Sequence, residues 1–278
     1  MTVAVVLTAA GGGTRLGHVL PKALVPVRGE PLVVHAARRL LGARTAEGEP
    51  VVHALVVTAP AGLVEEFCAA LEPLSRALDL PGPTGVPGPT ARPAVRVVVG
   101  GASRQASVAA GLATLPPEVD VVLVHDAARP FAPGDLVVRV VDAVRAGHRA
   151  VVPGLPVVDT VKQIDPLTHV DAATQGDGPA EAGDPAVVGW AVRATVPRDT
   201  LRAVQTPQGF DRALLDRAHA AAAAHAHDEA VAASDDAGLV ERLGEPVWVV
   251  PGDERAAKIT TARDLVIAEL LGDDRAPV

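Results

Sequence analysis

The sequence predicts an α/β fold: a mostly parallel mixed sheet covered by helices on both faces, with a β-arm projecting from it. Three observations predict it. Short apolar, β-branched runs alternate with helical patterns over about the first 150 residues, the rhythm of a sheet buried on both sides. Three of those runs end in loops of glycine, small polar and charged residues rather than in hairpin turns. After residue 153 the pattern becomes partly alternating apolar and polar, as in a half-exposed hairpin.

The elements follow in order. Residues 3–7 read as a buried strand and end in Ala9-Ala10-Gly11-Gly12-Gly13-Thr14-Arg15-Leu16-Gly17, followed by Pro21-Lys22. Residues 31–41 read as a helix, 51–58 as a strand and 62–78 as a helix. The Pro/Gly stretch 81–93 packs as neither and reads as a surface insertion. Residues 95–99 form a strand that leads through Gly100-Gly101-Ala102-Ser103-Arg104-Gln105-Ala106-Ser107 into a helix ending near 115. Residues 120–125 form a strand ending in Asp126-Ala127-Ala128-Arg129-Pro130, followed by a helix over 133–147 and a strand at 150–152.

The arm, at about 154–200, takes its strands from 157–164 and 187–196, with a long tip over 165–185 rich in Gly, Pro, Ala and acids. A projecting arm packs on something, and a second copy of the chain is the expected partner. An alanine-rich helix is expected over 211–227. Ser234-Asp235-Asp236 reads as the N-cap of a stretch through 243, with a strand at 245–250 and a closing helix at 262–271. The whole chain, 1–278, is expected to be one domain.

Composition narrows the function classes. The chain is 49% hydrophobic but only 2% aromatic, so its core must be aliphatic. A net charge of −8 without a basic run disfavours nucleic acid as a partner. Cys68 is the sole cysteine, which excludes an intrachain disulfide, and its helical apolar setting makes it a core residue. The first residues lack a charged leader and no apolar run reaches membrane-spanning length; a soluble cytoplasmic protein is expected. The only lysines are Lys22, Lys162 and Lys258, in a chain whose other permanent cations are all arginine. A compact, mobile ammonium is thus kept for a few places.

A strand ending in glycines presents bare backbone N–H groups at the sheet's carboxyl edge, a concavity suited to phosphate. Arg15 and Lys22 add two cations beside it. The loop is not a P-loop: Gly12 and Gly17 have the right separation, but His18 and Val19 stand where Lys and Ser/Thr belong. Nor is it a dinucleotide fingerprint, because Leu16 occupies the third glycine position. In open α/β sheets ligands bind beyond the carboxyl ends of strands. That rule gathers the first loop, residues 100–107 and residues 126–129 into one crevice.

The first loop with Pro21-Lys22 resembles the signature of sugar-nucleotide-type nucleotidylyltransferases. With His125-Asp126-Ala127-Ala128-Arg129-Pro130, Asp159-Thr160-Val161-Lys162, Gln205-Thr206-Pro207-Gln208 and Lys258-Ile259-Thr260 it resembles the 2-C-methyl-D-erythritol 4-phosphate cytidylyltransferases, in order and over nearly the whole chain. The resemblance implies a Rossmann-like three-layer sandwich, CTP and a polyol phosphate as substrates, and a step in non-mevalonate isoprenoid synthesis. It implies Arg15, Lys22 and Lys258 as catalytic cations. Ala9, Ala10, Gly11, Gly12, Gly13, Gly101, Ser107 and Asp126 match CTP-binding positions. Ala127, Arg129, Thr160, Arg198 and Thr206 match positions around the sugar phosphate. Asp126 and Asp235 match acids beside a Mg²⁺ ion, with Asp236 as an alternative to Asp235. Thr160 and Arg198 would reach a partner's site in a homodimer. Ser107 could equally cap the helix it precedes. Two other functions remain open at this point: transfer to another polyol phosphate such as ribitol phosphate, and nucleotide binding without catalysis.

Overall fold

The computed structural model describes residues 1–11, 20–78, 94–169, 190–228 and 232–271. The chain divides into two compact units, one of Met1–Gly154 with Val204–Val278, the other of Leu155–Ala203. The expected insertion at 81–93 and most of the expected tip of the arm lie outside the described residues.

In the large unit, strand β1 (Thr2–Thr8) leads to a small hairpin, β2 (Pro26–Val27) and β3 (Glu30–Pro31), and helix α1 (Leu32–Leu41). Next come β4 (Ala54–Ala59), α2 (Val64–Ala77), β5 (Ala94–Val99), α3 (Arg104–Leu112), β6 (Val119–Asp126), α4 (Gly134–Arg145) and β7 (Ala150–Pro156). The small unit contains the antiparallel hairpin of β8 (Val161–His169) and β9 (Trp190–Val196). Strand β10 (Arg202–Val204) leads back to β11 (Gln208–Asp211), α5 (Arg212–Ala221), α6 (Asp236–Arg242), β12 (Trp248–Pro251) and α7 (Ala262–Leu271).

The sheet of the large unit runs β7–β11–β6–β1–β4–β5, with β12 also paired to β7. β1 is parallel to β4 and β6, β4 to β5, and β12 to β7. β11 runs antiparallel to both β6 and β7, which makes the sheet mixed. β1 shows why both faces are covered: Val3, Val5 and Leu7 pack with α1, α2 and α4, whereas Ala4 and Val6 pack with α3, α5 and α6. Cys68 sits partly buried beside the first of these cores, and burial pushes its thiol pKa up. Helix α7 rests on the β2–β3 hairpin through Val27, Ile259 and Ala268. Among the described residues no helix is long and apolar enough to cross a membrane.

Two elements differ from expectation for tertiary reasons. The strand expected at 150–152 continues to Pro156, because β12 pairs with it from Val151 to Gly154. The helix expected over 211–227 ends at Ala221 and gives way to a tight turn at Ala223–His225. There Gln105 Nε2 donates to the Ala222 carbonyl at 3.1 Å, an acceptor a continuing helix would use, and Ser103 Oγ donates to the Ala226 carbonyl. Within the expected Ser234-Asp235-Asp236 cap of helix α6, Asp235 is the capping residue; its side chain accepts from Gly238 N–H at 3.0 Å.

Candidate active site

The strand order turns at β1, with β4 and β5 on one side and β6 on the other. This is the switch point where an open α/β sheet offers a crevice beyond its carboxyl ends. Backbone bonds knit the loops that leave it. Ala9 N–H donates to Thr58 O at 3.0 Å, Gly100 N–H to Ala59 O at 2.8 Å and Ala127 N–H to Thr8 O at 3.1 Å. A Cβ on Gly100 would lie 2.6 Å from the Cβ of Ala10, and one on Gly101 would lie 2.4 Å from the Cβ of Ala106. Bare backbone is required at both positions for the first loop and the start of α3 to meet.

Ser107 serves that loop. Its Oγ accepts from Gly101 N–H at 3.1 Å and donates to Ser103 O at 2.8 Å. The cap of α3 is Ser103, whose Oγ accepts from Ala106 N–H at 3.0 Å. Ser107 therefore shapes the glycine turn and leaves capping to its neighbour.

Asp126, at the end of β6, is the electrostatic centre. Its Oδ2 accepts from Lys258 Nζ at 2.8 Å, and its Oδ1 from Arg104 Nε and Thr8 Oγ1, both at 3.2 Å. Burial pushes its pKa up, but Arg104 and Lys258 outweigh burial and hold the carboxyl far below the usual range. Lys258 reaches it because the loop before α7 is pinned to the loop after β6. Ile259 N–H donates to Ala128 O at 2.8 Å, and Arg129 Nη1 donates to Ala256 O at 2.7 Å. Arg129 also donates to Val204 O at 3.3 Å, and burial lowers its pKa. Two of its donors are thus committed to carbonyls within the fold.

His125 and Thr206 set the backbone of Asp126. His125 is fully buried, and burial pushes its pKa down to about 4, so its ring is neutral near pH 7. Its Nε2 lies 3.1 Å from Arg129 O, a group that only accepts, so Nε2 carries the proton. Nδ1 is then bare and accepts from Thr206 Oγ1–H at 2.9 Å. Thr206 Oγ1 in turn accepts from Asp126 N–H at 3.1 Å. The hydroxyl proton of Thr206 is spoken for, and what the residue can offer a substrate is a lone pair.

Ala9, Ala10, Gly11, Gly101, Ala127, Arg129, Thr206 and Lys258 lie on loops, Asp126 ends β6, and Ser107 sits in the first turn of α3. Lys22 begins a short 3-10 turn, Lys22–Leu24, after the first loop. Gly12, Gly13 and Arg15 fall outside the described residues. Thr160 and Arg198 belong to the small unit, where both are exposed and Arg198 Nη1 donates to Val158 O. Asp235 gives its other oxygen to Gln208 Nε2 at 2.9 Å. Asp236 is only 1% exposed and is held by Arg104 Nη1 at 2.7 Å and His219 Nε2 at 2.8 Å. Of the two acids, Asp236 is an interior ion-pair partner. Among the described residues, no three His, Cys, Asp or Glu side chains gather as metal ligands.

A model of the 2-C-methyl-D-erythritol 4-phosphate cytidylyltransferase family matches residues 3–185 and 182–272. The chain belongs to that family. This cytidylyltransferase is 46% identical over 275 residues to the 2-C-methyl-D-erythritol 4-phosphate cytidylyltransferase of Nocardia farcinica, covering 99% of the chain and 96% of the relative. It is 45% identical to the protein of that name from Streptomyces avermitilis, covering 96% and 90%. The solved structure of the Thermus thermophilus protein of that name is 34% identical and superposes with a TM-score of 0.62, covering 98% of both chains. The enzyme is a nucleotidyltransferase of isoprenoid synthesis, and its mixed sheet with helices on both faces is the family's fold. Sequence reasoning missed Arg104 and Asp236 as members of the site's charge network. Arg104 stood in the quoted loop, but nothing in a linear string pairs it with acids 22 and 132 residues away.

Proposed function

We propose that this enzyme binds CTP with its triphosphate beside the first glycine loop and transfers the cytidylyl group to the phosphate of 2-C-methyl-D-erythritol 4-phosphate. A non-bridging oxygen of that phosphate attacks the α-phosphorus of CTP. A new P–O bond forms, the bond from the α-phosphorus to the oxygen bridging to the β-phosphorus breaks, and its electron pair leaves with pyrophosphate. The attacking phosphate is already anionic, so no general base is required. The protein's task is to orient two anions and to offset charge growing on the leaving group.

The observation that carries this reading is the Asp126–Lys258 pair at the switch point, 2.8 Å apart and bordered by bare glycine backbone. Lys258, with its side chain 42% exposed, has further ammonium N–H donors to offer a phosphate oxygen while it stays bonded to Asp126. Lys22 and Arg15 hold the triphosphate, and Gly101 and Ser107 border the cytosine. Arg129, Ala127 and Thr206 form the wall toward the sugar phosphate.

Mg²⁺ fits this site through Asp126. That carboxylate is held ionised and would hold the ion, whose remaining ligands would come from the substrate and water. When bound, it supplies further neutralisation of the triphosphate. Asp235 is committed to the cap of α6 and to Gln208, so its part is to hold that cap beside the site. We assign Thr160 and Arg198 to the neighbouring subunit's site in a homodimer. The exposed Val158, Trp190 and Val192 of the small unit support a partner surface there.

Pyrophosphate release tests the reading, with CTP, UTP, GTP and ATP each offered methylerythritol phosphate or ribitol phosphate. Turnover with CTP and methylerythritol phosphate well above every other pair is expected. No turnover with CTP, or preference for ribitol phosphate, would overturn it.

A further inference from the structure

Arg104 is the first residue of α3 and joins two acids that belong to different parts of the fold. Its Nη1 donates to Asp236 Oδ2 at 2.7 Å, and its Nε donates to Asp126 Oδ1 at 3.2 Å. Asp236 is anchored again by His219 Nε2 at 2.8 Å on its other oxygen. The result is a continuous chain: His219, Asp236, Arg104, Asp126, Lys258. Burial acts against ionisation of Arg104, but the two carboxylates outweigh it and keep the guanidinium charged. For Asp236, too, burial acts against the charge and Arg104 with His219 outweighs it.

The two ends of this chain differ. Asp236 is 1% exposed and rigidly held, whereas Lys258 is 42% exposed on a four-carbon stem with many rotamers. An ammonium of that kind is placed only as well as the carboxylate it meets. Besides Lys258 and Arg104, the Asp126 carboxyl is restrained by Thr8, through a bond of 3.2 Å. The guanidinium is a rigid plane, nailed at its far side by a buried acid, and it fixes which oxygen of Asp126 faces Lys258. A tie between α3 and α6 would need only the Asp236 contact; the second contact, to the catalytic loop, does nothing for that tie.

We propose that Arg104 is a positioning residue for the transfer reaction, aiming the Lys258 ammonium through Asp126 and braced by Asp236. This rests on the role given above to Lys258. Arg104 touches neither substrate; its effect passes through the lysine.

A double-mutant cycle between Arg104 and Lys258 tests the proposal, read as kcat/KM for the polyol phosphate at saturating CTP. Arg104→Lys keeps a buried positive charge but has one ammonium where the guanidinium spans two acids, so it is the variant that stays folded. Arg104→Gln is made alongside, and thermal melts report folding of both. The expected result is a loss of about tenfold for Arg104→Lys in the wild-type background and less than about twofold in a Lys258→Ala background, with KM for CTP moved less than about twofold in either. A merely structural role gives the same loss in both backgrounds, and that result, or no loss in the wild-type background, overturns the proposal. If Arg104→Gln does not fold, Arg104→Lys alone decides. If instead the wild-type enzyme turns over no CTP, it is the functional reading that fails, not the positioning chain.

Discussion

Thr206→Val removes one oxygen and almost no volume, so its cost is that of hydrogen bonds rather than of a cavity. Thr206 is 5% exposed, and its hydroxyl gives its proton to His125 Nδ1 and takes one from Asp126 N–H. Both partners are buried and face valine's methyl in the variant. A buried donor or acceptor left unsatisfied costs about 1–3 kcal/mol, so two cost about 2–6 kcal/mol. Thr206→Ser keeps both bonds and loses a methyl, which costs about 1 kcal/mol. Urea unfolding at fixed protein concentration, with m unchanged, reads the difference directly. Valine is expected to be less stable than serine by about 1–5 kcal/mol. It should also slow turnover more than serine does, because the loop that carries Asp126 loses its tether. Equal stability of the two variants, or a valine variant like wild type, would refute the hydrogen-bond assignment and with it the inferred His125 tautomer.

Two further outcomes follow from the same structure. His125 has its pKa pushed from 6.5 to about 4 by burial, so the native state resists protonation that the unfolded chain accepts. Its contribution to stability is complete above about pH 6.5 and falls away as pH drops toward 4, by about 3 kcal/mol in all; His125→Asn should flatten that part of the pH–stability curve. For the proposed homodimer, mixing Arg198→Ala chains with Lys22→Ala chains in equal amounts should restore about a quarter of wild-type activity, since each mixed dimer would keep one intact site. No recovery in dimers shown to exchange subunits would mean that Arg198 serves its own chain.

The sequence makes the frame of the sheet legible because the parallel strands are continuous apolar runs, as β1, β4 and β6 show. β11 is harder to read. Its four residues, Gln-Gly-Phe-Asp, carry no such run, and they insert antiparallel between β6 and β7 only because the chain returns from the small unit there. Within the site, the residues proposed to meet substrate stood out as motifs: Lys22 and Lys258 in a chain poor in lysine, Asp126 after a strand, Gly101 in a glycine pair. Those acting on other side chains did not. Arg104 reads as one residue of the loop leading into a helix, and Asp236 as the alternative to Asp235 beside a metal ion. Their roles arise from long-range charge pairing that burial makes obligatory, since each charge needs its partner once water is gone.

Convergence of cations on the triphosphate is measured most directly by comparing CTP binding with turnover in Lys22→Ala. A charge that acts mainly in the transition state should cost kcat about a hundredfold or more while the Kd for CTP changes by less than about tenfold. Equal losses in binding and turnover would place that ammonium in ground-state recognition only, and would contradict the proposed catalysis.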